Sequence, residues 1–464
     1  MVLVFILWVM NYLDYFKGKK ITLIGLGLLG RGVGDAKFLA DGGADLIVTD
    51  LKTEKELAPS LKQLKKYRIN YVLGTHRLED FRVRDLIIKA AGVPLNSPVI
   101  AEAKKNKIPV MMSVALFAKL SGAQIIGVTG TRGKTTTTQL IYEILFHGLT
   151  LKAKNPRVTL NKPKVWLGGN IQGISTLALL PKVKSGDWVV LELDSWQLQG
   201  FGDLKISPEI AVFTNLMPDH WNYYHSSMAK YFTDKANIFR YQQPSDYLVV
   251  GQNIAKKIKA AKPRSQMFLV GEKSVPKNWK VKLPGSHNLN NIGLAIKVGE
   301  ILGVPKSQIK QVVENFAGVS GRLELMRTWR GFKIYNDTTA TTPEATLVAL
   351  RALAKKRNIV LIMGGADKNL PLDKLVKNLP KFCKAVILLP GTGTEKFKSY
   401  KLKVINLKEV SNLAEAIEEA IRMAKSGDIL LFSPGFASFG PPPGGFKNEY
   451  DRGAQFNKLV KNLK

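Results

Sequence analysis

The sequence predicts an α/β protein whose sheets are parallel and covered by helices on both faces. Two patterns carry this. Three segments read as an apolar strand, a glycine turn and, in the first two, the start of a helix: ITLIGLGLLGRGVGDAKFLA at 21–40, AQIIGVTGTRGKTTTTQLIYEIL at 123–145 and NIVLIMGGADKN at 358–369. Further apolar runs recur between helical patterns: DLIVTD at 45–50, DWVVLEL at 187–193, EIAVFTNL at 209–216, AVILLPG at 385–391 and DILLFSPG at 428–435. A strand that is apolar on both faces is one that is covered on both faces, as in parallel sheet. At roughly 150 residues per domain the chain divides into about three. Boundaries near 112–120 and at the GVSGR turn near 318–321 give domains 1–115, 116–318 and 319–464.

Composition narrows the class. Hydrophobic residues make up 45% and charged residues 23%, the balance of a folded protein, which excludes general disorder. A single cysteine, Cys383, excludes an internal disulfide framework and a cysteine zinc cluster; ahead of an apolar run it reads as a small buried hydrophobe. The net charge of +33 suggests an anionic partner such as nucleic acid. The excess is spread, however, as +7 over 1–118, +14 over 119–318 and +12 over 319–464, with no basic tail, so it reads as a solvated surface. The apolar run MVLVFILWVM at 1–10 is shorter than the ~20 residues that span a bilayer and lacks the basic flank of a signal peptide. Met10 is the expected start, with 1–9 an upstream extension; a weak interfacial anchor is the alternative.

The first glycine segment, Gly25-x-Gly27-x-x-Gly30, opens a helix, and Asp50 ends the following strand. This is a dinucleotide fingerprint with an acid placed for a ribose or base. An NAD(P) domain and a site for another nucleoside diphosphate fit it equally, because the loop recognises pyrophosphate. The second segment centres on GTRGKTT, Gly130 to Thr136. Its glycines free backbone N–H groups to face phosphate, Lys134 neutralises the β/γ charge, and the Thr135 hydroxyl suits Mg²⁺. The strict P-loop pattern asks for glycine where this chain has Val128, but the strand before and the helix after are in place. Glu192, ending the strand of DWVVLELDSWQLQ, is where a Mg²⁺ ligand is expected beside such a loop. Asp219 and His220 are read as ending another strand, VFTNLMPDH, with His220 on a metal or phosphate. Lys235, in YFTDKANIF, reads alone as an ordinary helix lysine.

At this point the chain resembles a known family. GTRGKTT, ELDSWQL, NLMPDH with a lysine 15 residues later, SHNLNN, GVSGR and YNDTTATTPEA stand in the order found in Mur ligases, over residues 11–464. The GLGLLG, ELDSWQL, GGADK and SPGFASF segments are most similar to the members that add D-glutamate to UDP-N-acetylmuramoyl-L-alanine. The resemblance implies a Rossmann-like N-terminal domain, a central P-loop-type ATPase domain with a mostly parallel sheet and a Rossmann-like C-terminal domain. It implies a cytoplasmic, monomeric, ADP-forming ligase of peptidoglycan precursors, using ATP and Mg²⁺ at two sites, with no nucleic-acid partner and no stable membrane insertion.

It also assigns residues. Lys134, Glu192, His220 and Lys235 would be catalytic, and Thr135, Glu192, His220 and a carbamylated Lys235 would hold metal. Gly130, Thr131, Arg132, Gly133, Lys134, Thr135, Thr136, Asn288, Asn291, Arg322 and Asp337 would bind ATP. Leu28, Leu29, Gly30, Asp50, Ala91, Gly92 and Asn170 would bind the UDP substrate. Thr341, Lys368 and Ser438 would receive the amino acid.

Two positions depart from the family's pattern in the last pocket. Thr339 stands for a lysine and Glu449 for an aromatic residue, and GPPPGG before it is altered. Losing a cation and gaining an anion is expected to weaken a two-carboxylate pocket by ~1–3 kcal/mol. Rival readings explain less. A tripeptide-forming ligase carries a DNPR-like motif missing here. A folate-polyglutamate ligase lacks the first glycine segment, and the amidating relative needs four cysteines. An NAD-dependent oxidoreductase leaves GTRGKTT unexplained, and a nucleic-acid-dependent ATPase leaves Gly25–Gly30 unexplained.

Overall fold

The computed structural model describes residues 12–151, 163–400, 406–438 and 446–463. The apolar run with the expected start at Met10, and the altered PPPGG segment at 441–445, lie outside the described residues. Contacts divide the chain into two compact units, Met1–Lys277 with Leu289–Val313, and Asn278–Asn288 with Glu314–Lys464.

The first unit carries two sheets. One holds β1 (Lys20–Ile24), β2 (Asp45–Asp50), β3 (Asn70–Leu73), β4 (Leu86–Lys89) and β5 (Val110–Met112) in the order β3-β2-β1-β4-β5. All its pairs are parallel. The order reverses between β1 and β4, where open parallel sheets take ligands at their carboxyl edge. Gly25 leaves β1 with φ +92° and Gly30 ends the turn with φ +82°, so the helix Arg31–Asp41 starts at the crevice. Gly32 makes that possible: a Cβ there would lie 2.4 Å from the Leu26 carbonyl oxygen.

The other sheet holds β6 (Gln124–Thr129), β7 (Val165–Gly169), β8 (Trp188–Glu192), β9 (Ile210–Phe213), β10 (Tyr247–Gly251) and β11 (Gln266–Val270) in the order β11-β10-β9-β6-β8-β7. It too is wholly parallel. β6 and β8 are neighbours, so the glycine loop after Thr129 and the carboxylate of Glu192 leave the sheet side by side. One apolar core runs through both sheets, from Phe16 and Leu39 to Phe201 and Phe213.

The second unit's sheet holds β12 (Glu324–Trp329), β13 (Phe332–Asn336), β14 (Ile359–Gly364), β15 (Cys383–Leu389), β16 (Asn406–Glu409) and β17 (Ile429–Phe432) in the order β12-β13-β17-β14-β15-β16. Only the β12–β13 edge hairpin is antiparallel. Alternate residues face two cores, Leu361 and Met363 with Leu347 and Leu379 on one side, Val360 and Ile362 with Ala416 and Phe456 on the other. The sheet is thus covered on both faces, as its apolar strands require. Cys383 is buried at the start of β15, where desolvation pushes its thiol pKa up. Among the described residues no helix is long and apolar enough to cross a membrane.

One expectation is corrected. The segment VFTNLMPDH does not run as strand to Asp219 and His220; β9 stops at Phe213. Beyond it, Asn215 turns its backbone oxygen to the Thr131 N–H (3.0 Å) and its side-chain oxygen to the Arg132 N–H (2.9 Å). A residue whose polar groups serve the neighbouring loop cannot also serve a ladder.

Candidate active site

A glycine loop joins β6 to the helix Lys134–Leu151 in the first unit. Two of its glycines are dictated by crowding. A Cβ at Gly130 (φ +141°) would lie 1.9 Å from Thr214 Oγ1, and one at Gly133 (φ +82°) would lie 2.2 Å from Asn291 Oδ1. The Asn291 amide thus occupies the space that Gly133 leaves. Asn288, one turn earlier on the helix Ser286–Ile301, donates its Nδ2 to the Pro284 carbonyl at 2.8 Å. The Thr131 hydroxyl is tied to the loop after β9, donating to Met217 O at 3.1 Å and accepting from Met217 N at 2.9 Å. Arg132 pairs with Asp219 at 2.8 Å. Thr135 is half-buried and Thr136 buried on the first turn of the helix.

Lys134 Nζ donates to the Gly130 and Thr131 carbonyls at 3.1 and 3.2 Å, curling over the loop as a phosphate-binding lysine does. Burial holds its pKa below the usual value, while Glu192 pulls it back up. Glu192 is 4% exposed, and its Oε2 has no hydrogen-bond partner.

Lys235 comes from the helix Met228–Arg240 and is 1% exposed. Its Nζ donates to Gly130 O at 2.9 Å and Thr129 Oγ1 at 3.3 Å, and lies 4.8 Å from the centre of the Tyr231 ring. Burial first, and Lys134 second, push its pKa well down, against the pull of Asp194 and Asp219. His220 sits in the left-handed region (φ +53°) ahead of the short helix Trp221–Tyr224, its ring 4.6 Å from that of Trp196. Burial keeps the imidazole below its ordinary pKa, and Asp219 opposes this. Lys134, Glu192, His220 and Lys235 therefore gather at one edge of one sheet.

Tyr231 and Trp196 were missed by sequence reasoning. Tyr231 stands four residues before Lys235 on one helix face, the spacing that brings side chains together. Its hydroxyl lies 3.4 Å from Thr131 Oγ1.

At the carboxyl end of β2, Asp50 spends both carboxylate oxygens on backbone, accepting from Gly27 N and Lys52 N at 2.9 Å each. Leu28 and Ala91 are half-buried against the core, and a Cβ at Gly92 would meet open space. Lys89, unnoticed in the sequence, is buried at the end of β4 and donates to Val93 O at 2.8 Å and Ala90 O at 3.3 Å, holding the turn that carries Ala91 and Gly92. Burial pushes its pKa down to about 8, against the pull of Asp194 and Asp203. His76 has its Nδ1 2.7 Å from Thr49 Oγ1, beside Asp50. Leu29 and Gly30 meet the loop after β7: Gly173 N donates to Leu29 O at 2.8 Å, and Arg31 Nη1 donates to Asn170 Oδ1.

The second unit gathers its own residues. The Ala366–Ala437 bridge brings GGADK beside SPGFASF. Lys368 Nζ donates to Thr341 Oγ1 at 3.0 Å, and the buried Ser438 hydroxyl has no hydrogen-bond partner. Asp337 is buried between the Ser433 hydroxyl (2.8 Å) and the Leu323 N–H (3.1 Å). Desolvation raises its pKa to about 7, although Arg322 is close enough to lower it. Of the two departures, Thr339 turns its hydroxyl to Gly321 O at 2.9 Å, and Glu449 opens the last helix, where its charge favours that of the buried Arg452.

Comparison with known proteins agrees with this layout. Residues 19–112 match the description "Mur ligase MurD-like, N-terminal domain", 128–279 "Mur ligase middle domain" and 321–436 "Mur ligase, glutamate ligase domain". A UDP-N-acetylmuramoylalanine–D-glutamate ligase of Roseiflexus sp. is 36% identical, covering 96% of this chain and 99% of its own. One from Borreliella afzelii is 34% identical, covering 97% and 99%. Among solved structures, the UDP-N-acetylmuramate–alanine ligase of Thermotoga maritima shares the fold with a TM-score of 0.62 at 20% identity, covering 96% of this chain and 100% of its own. The MurF ligase of the same organism, solved with ADP, does so at 0.56 and 19%, covering 84% and 98%. With relatives this similar along nearly the whole length, and three domain descriptions matched in order, the chain belongs to the Mur ligase family.

Proposed function

We propose that the chain is an ATP-dependent ligase joining D-glutamate to UDP-N-acetylmuramoyl-L-alanine in the cytoplasmic synthesis of peptidoglycan precursors. The observation that carries this reading is the group of Lys134, Glu192, His220 and Lys235 around a glycine loop of phosphate-binding type, in a chain similar over nearly its whole length to proteins bearing that name. The γ-phosphoryl group of ATP passes to the substrate carboxylate, and the amine of the incoming amino acid attacks the acyl phosphate. The tetrahedral intermediate then collapses to amide and phosphate. The protein's part is positioning and charge stabilisation. Lys134 and the N–H groups of Gly130–Thr136 neutralise the phosphate oxygens, with Asn288, Asn291, Arg322 and Asp337 as further nucleotide contacts. Leu28, Leu29, Gly30, Asp50, Ala91, Gly92 and Asn170 hold the UDP-sugar, and Thr341, Lys368 and Ser438 hold the amino acid.

Among the described residues no group of three or more His, Cys, Asp and Glu side chains is arranged for a metal ion. The unpartnered buried Oε2 of Glu192 and the Thr135 hydroxyl nevertheless suit a hard cation. Carbamylation of Lys235, favoured by its depressed pKa, adds the further carboxylate that the acid count lacks. Bound Mg²⁺ supplies charge neutralisation on the transferred phosphoryl group.

A panel of amino acids tested for phosphate release from ATP with UDP-N-acetylmuramoyl-L-alanine decides the specificity. D-glutamate is expected to dominate. Strong preference for another amino acid, which Thr339 and Glu449 would then explain, overturns the D-glutamate assignment and leaves the ligase reading standing. No release with any of them overturns both.

A further inference from the structure

Asn170 follows the left-handed Gly169 at the end of β7, and its N–H is fixed on Glu192 O at 2.7 Å. Its side-chain amide has two different faces, a carbonyl oxygen that only accepts and an NH₂ that only donates. Which one a substrate meets depends on what holds the other. Arg31 decides this. It is the first residue of the helix after the Gly30 turn, and a guanidinium has donors alone, so its Nη1 takes the Asn170 Oδ1.

The two segments are clamped in two further places. Gly173 N donates to Leu29 O at 2.8 Å, and Ser175 Oγ donates to Asp35 Oδ1 at 2.5 Å. Gly30 and Gly173 pack so closely that a Cβ on Gly30 would lie 3.2 Å from the Gly173 Cα. These contacts join residues 29–35 to residues 173–175, so the two segments are held together independently of the Arg31–Asn170 pair. The pair is left to set the direction of one amide.

We infer that Arg31 is a positioning residue for the nucleotide-sugar substrate, holding the Asn170 amide with its oxygen on the Arg31 guanidinium and its NH₂ left to donate. This rests on the reading of Asn170 as a substrate contact. It commits position 170 to an oxygen acceptor on the substrate, such as a phosphate, amide carbonyl or carboxylate oxygen. It also joins the phosphate-binding turn of the first sheet to the backbone of Glu192 in the second.

The test is a double-mutant cycle on the full chain with Arg31→Met and Asn170→Ala, read as kcat and as KM for UDP-N-acetylmuramoyl-L-alanine and for ATP. Each single change is expected to raise the KM for the nucleotide sugar on the order of tenfold, leaving kcat and the KM for ATP nearly unchanged. The double variant should match Asn170→Ala alone, because a residue acting through another adds nothing once that other is gone. Arg31→Lys, which keeps one donor, should recover most of the loss. Multiplicative losses overturn the inference by showing that Arg31 meets the substrate directly, and a wild-type KM in Arg31→Met overturns it outright. If Arg31→Met does not fold, Arg31→Lys and Asn170→Ala still decide. Wild-type KM in Asn170→Ala overturns the inference, and so does a KM for Arg31→Lys no better than that of Asn170→Ala. A wild-type chain that does not turn over the nucleotide sugar overturns the underlying reading as well.

Discussion

Lys235 gives its hydrogen bonds to neutral oxygens, Thr129 Oγ1 and Gly130 O, at a site where water cannot solvate a cation. Burial and the nearby Lys134 both favour the uncharged amine. An uncharged amine is the form that adds CO₂, so the proposed carbamylation would turn a neutral group into an anion near Lys134. Replacing Lys235 with Ala is expected to lower turnover by ~10²–10³, with part of the activity restored by formate or acetate filling the vacated space. Full activity in that variant would remove Lys235 from the chemistry. The same residue shows where sequence reading runs out. Lys134 declares itself through its glycines, whereas nothing around Lys235 in YFTDKANIF does so without the family's pattern. Arg31 is more hidden still, because its partner lies 139 residues away.

Among the elements, the turn between β6 and its helix is the least tolerant of change. Gly130→Ala would combine a φ of +141° with a Cβ 1.9 Å from Thr214 Oγ1. The expected cost is about 1–3 kcal/mol, read as a fall in the melting temperature together with a rise in the KM for ATP. An unchanged melting temperature would show that the loop relaxes freely. The strands that bear these turns were legible because each is apolar on both faces; Ile21–Ile24 and Val189–Glu192, for instance, are buried without a break. The end of β9 was not. Asn215 and Met217 look like a continuing strand in VFTNLMPDH, and only their bonds to Thr131 and Arg132 take them out of it. The β12–β13 hairpin was likewise illegible as antiparallel, since pairing direction depends on a short turn at Arg330–Gly331 and not on strand composition.

Over the whole molecule the charge of +33 has a use under the proposed function, since ATP, the UDP-sugar and D-glutamate would all be anions. Spread over every part of the chain, it raises local anion concentration without reading any sequence or shape. Apparent KM values for both nucleotide substrates are therefore expected to rise severalfold as salt goes from low to ~0.15 M, where the Debye length is ~8 Å, with kcat much less affected. A flat salt response would show that capture depends on contacts inside the sites alone.

The solitary Cys383 has a practical consequence. Buried at the start of β15, with a thiol that burial keeps protonated, it is shielded from alkylating reagents in the native state. A single cysteine introduced on an exposed loop of either unit would then take a fluorophore or spin label at one place only, with the native residue left untouched. Ligand binding to either unit can thus be followed by spectroscopy in an otherwise wild-type chain.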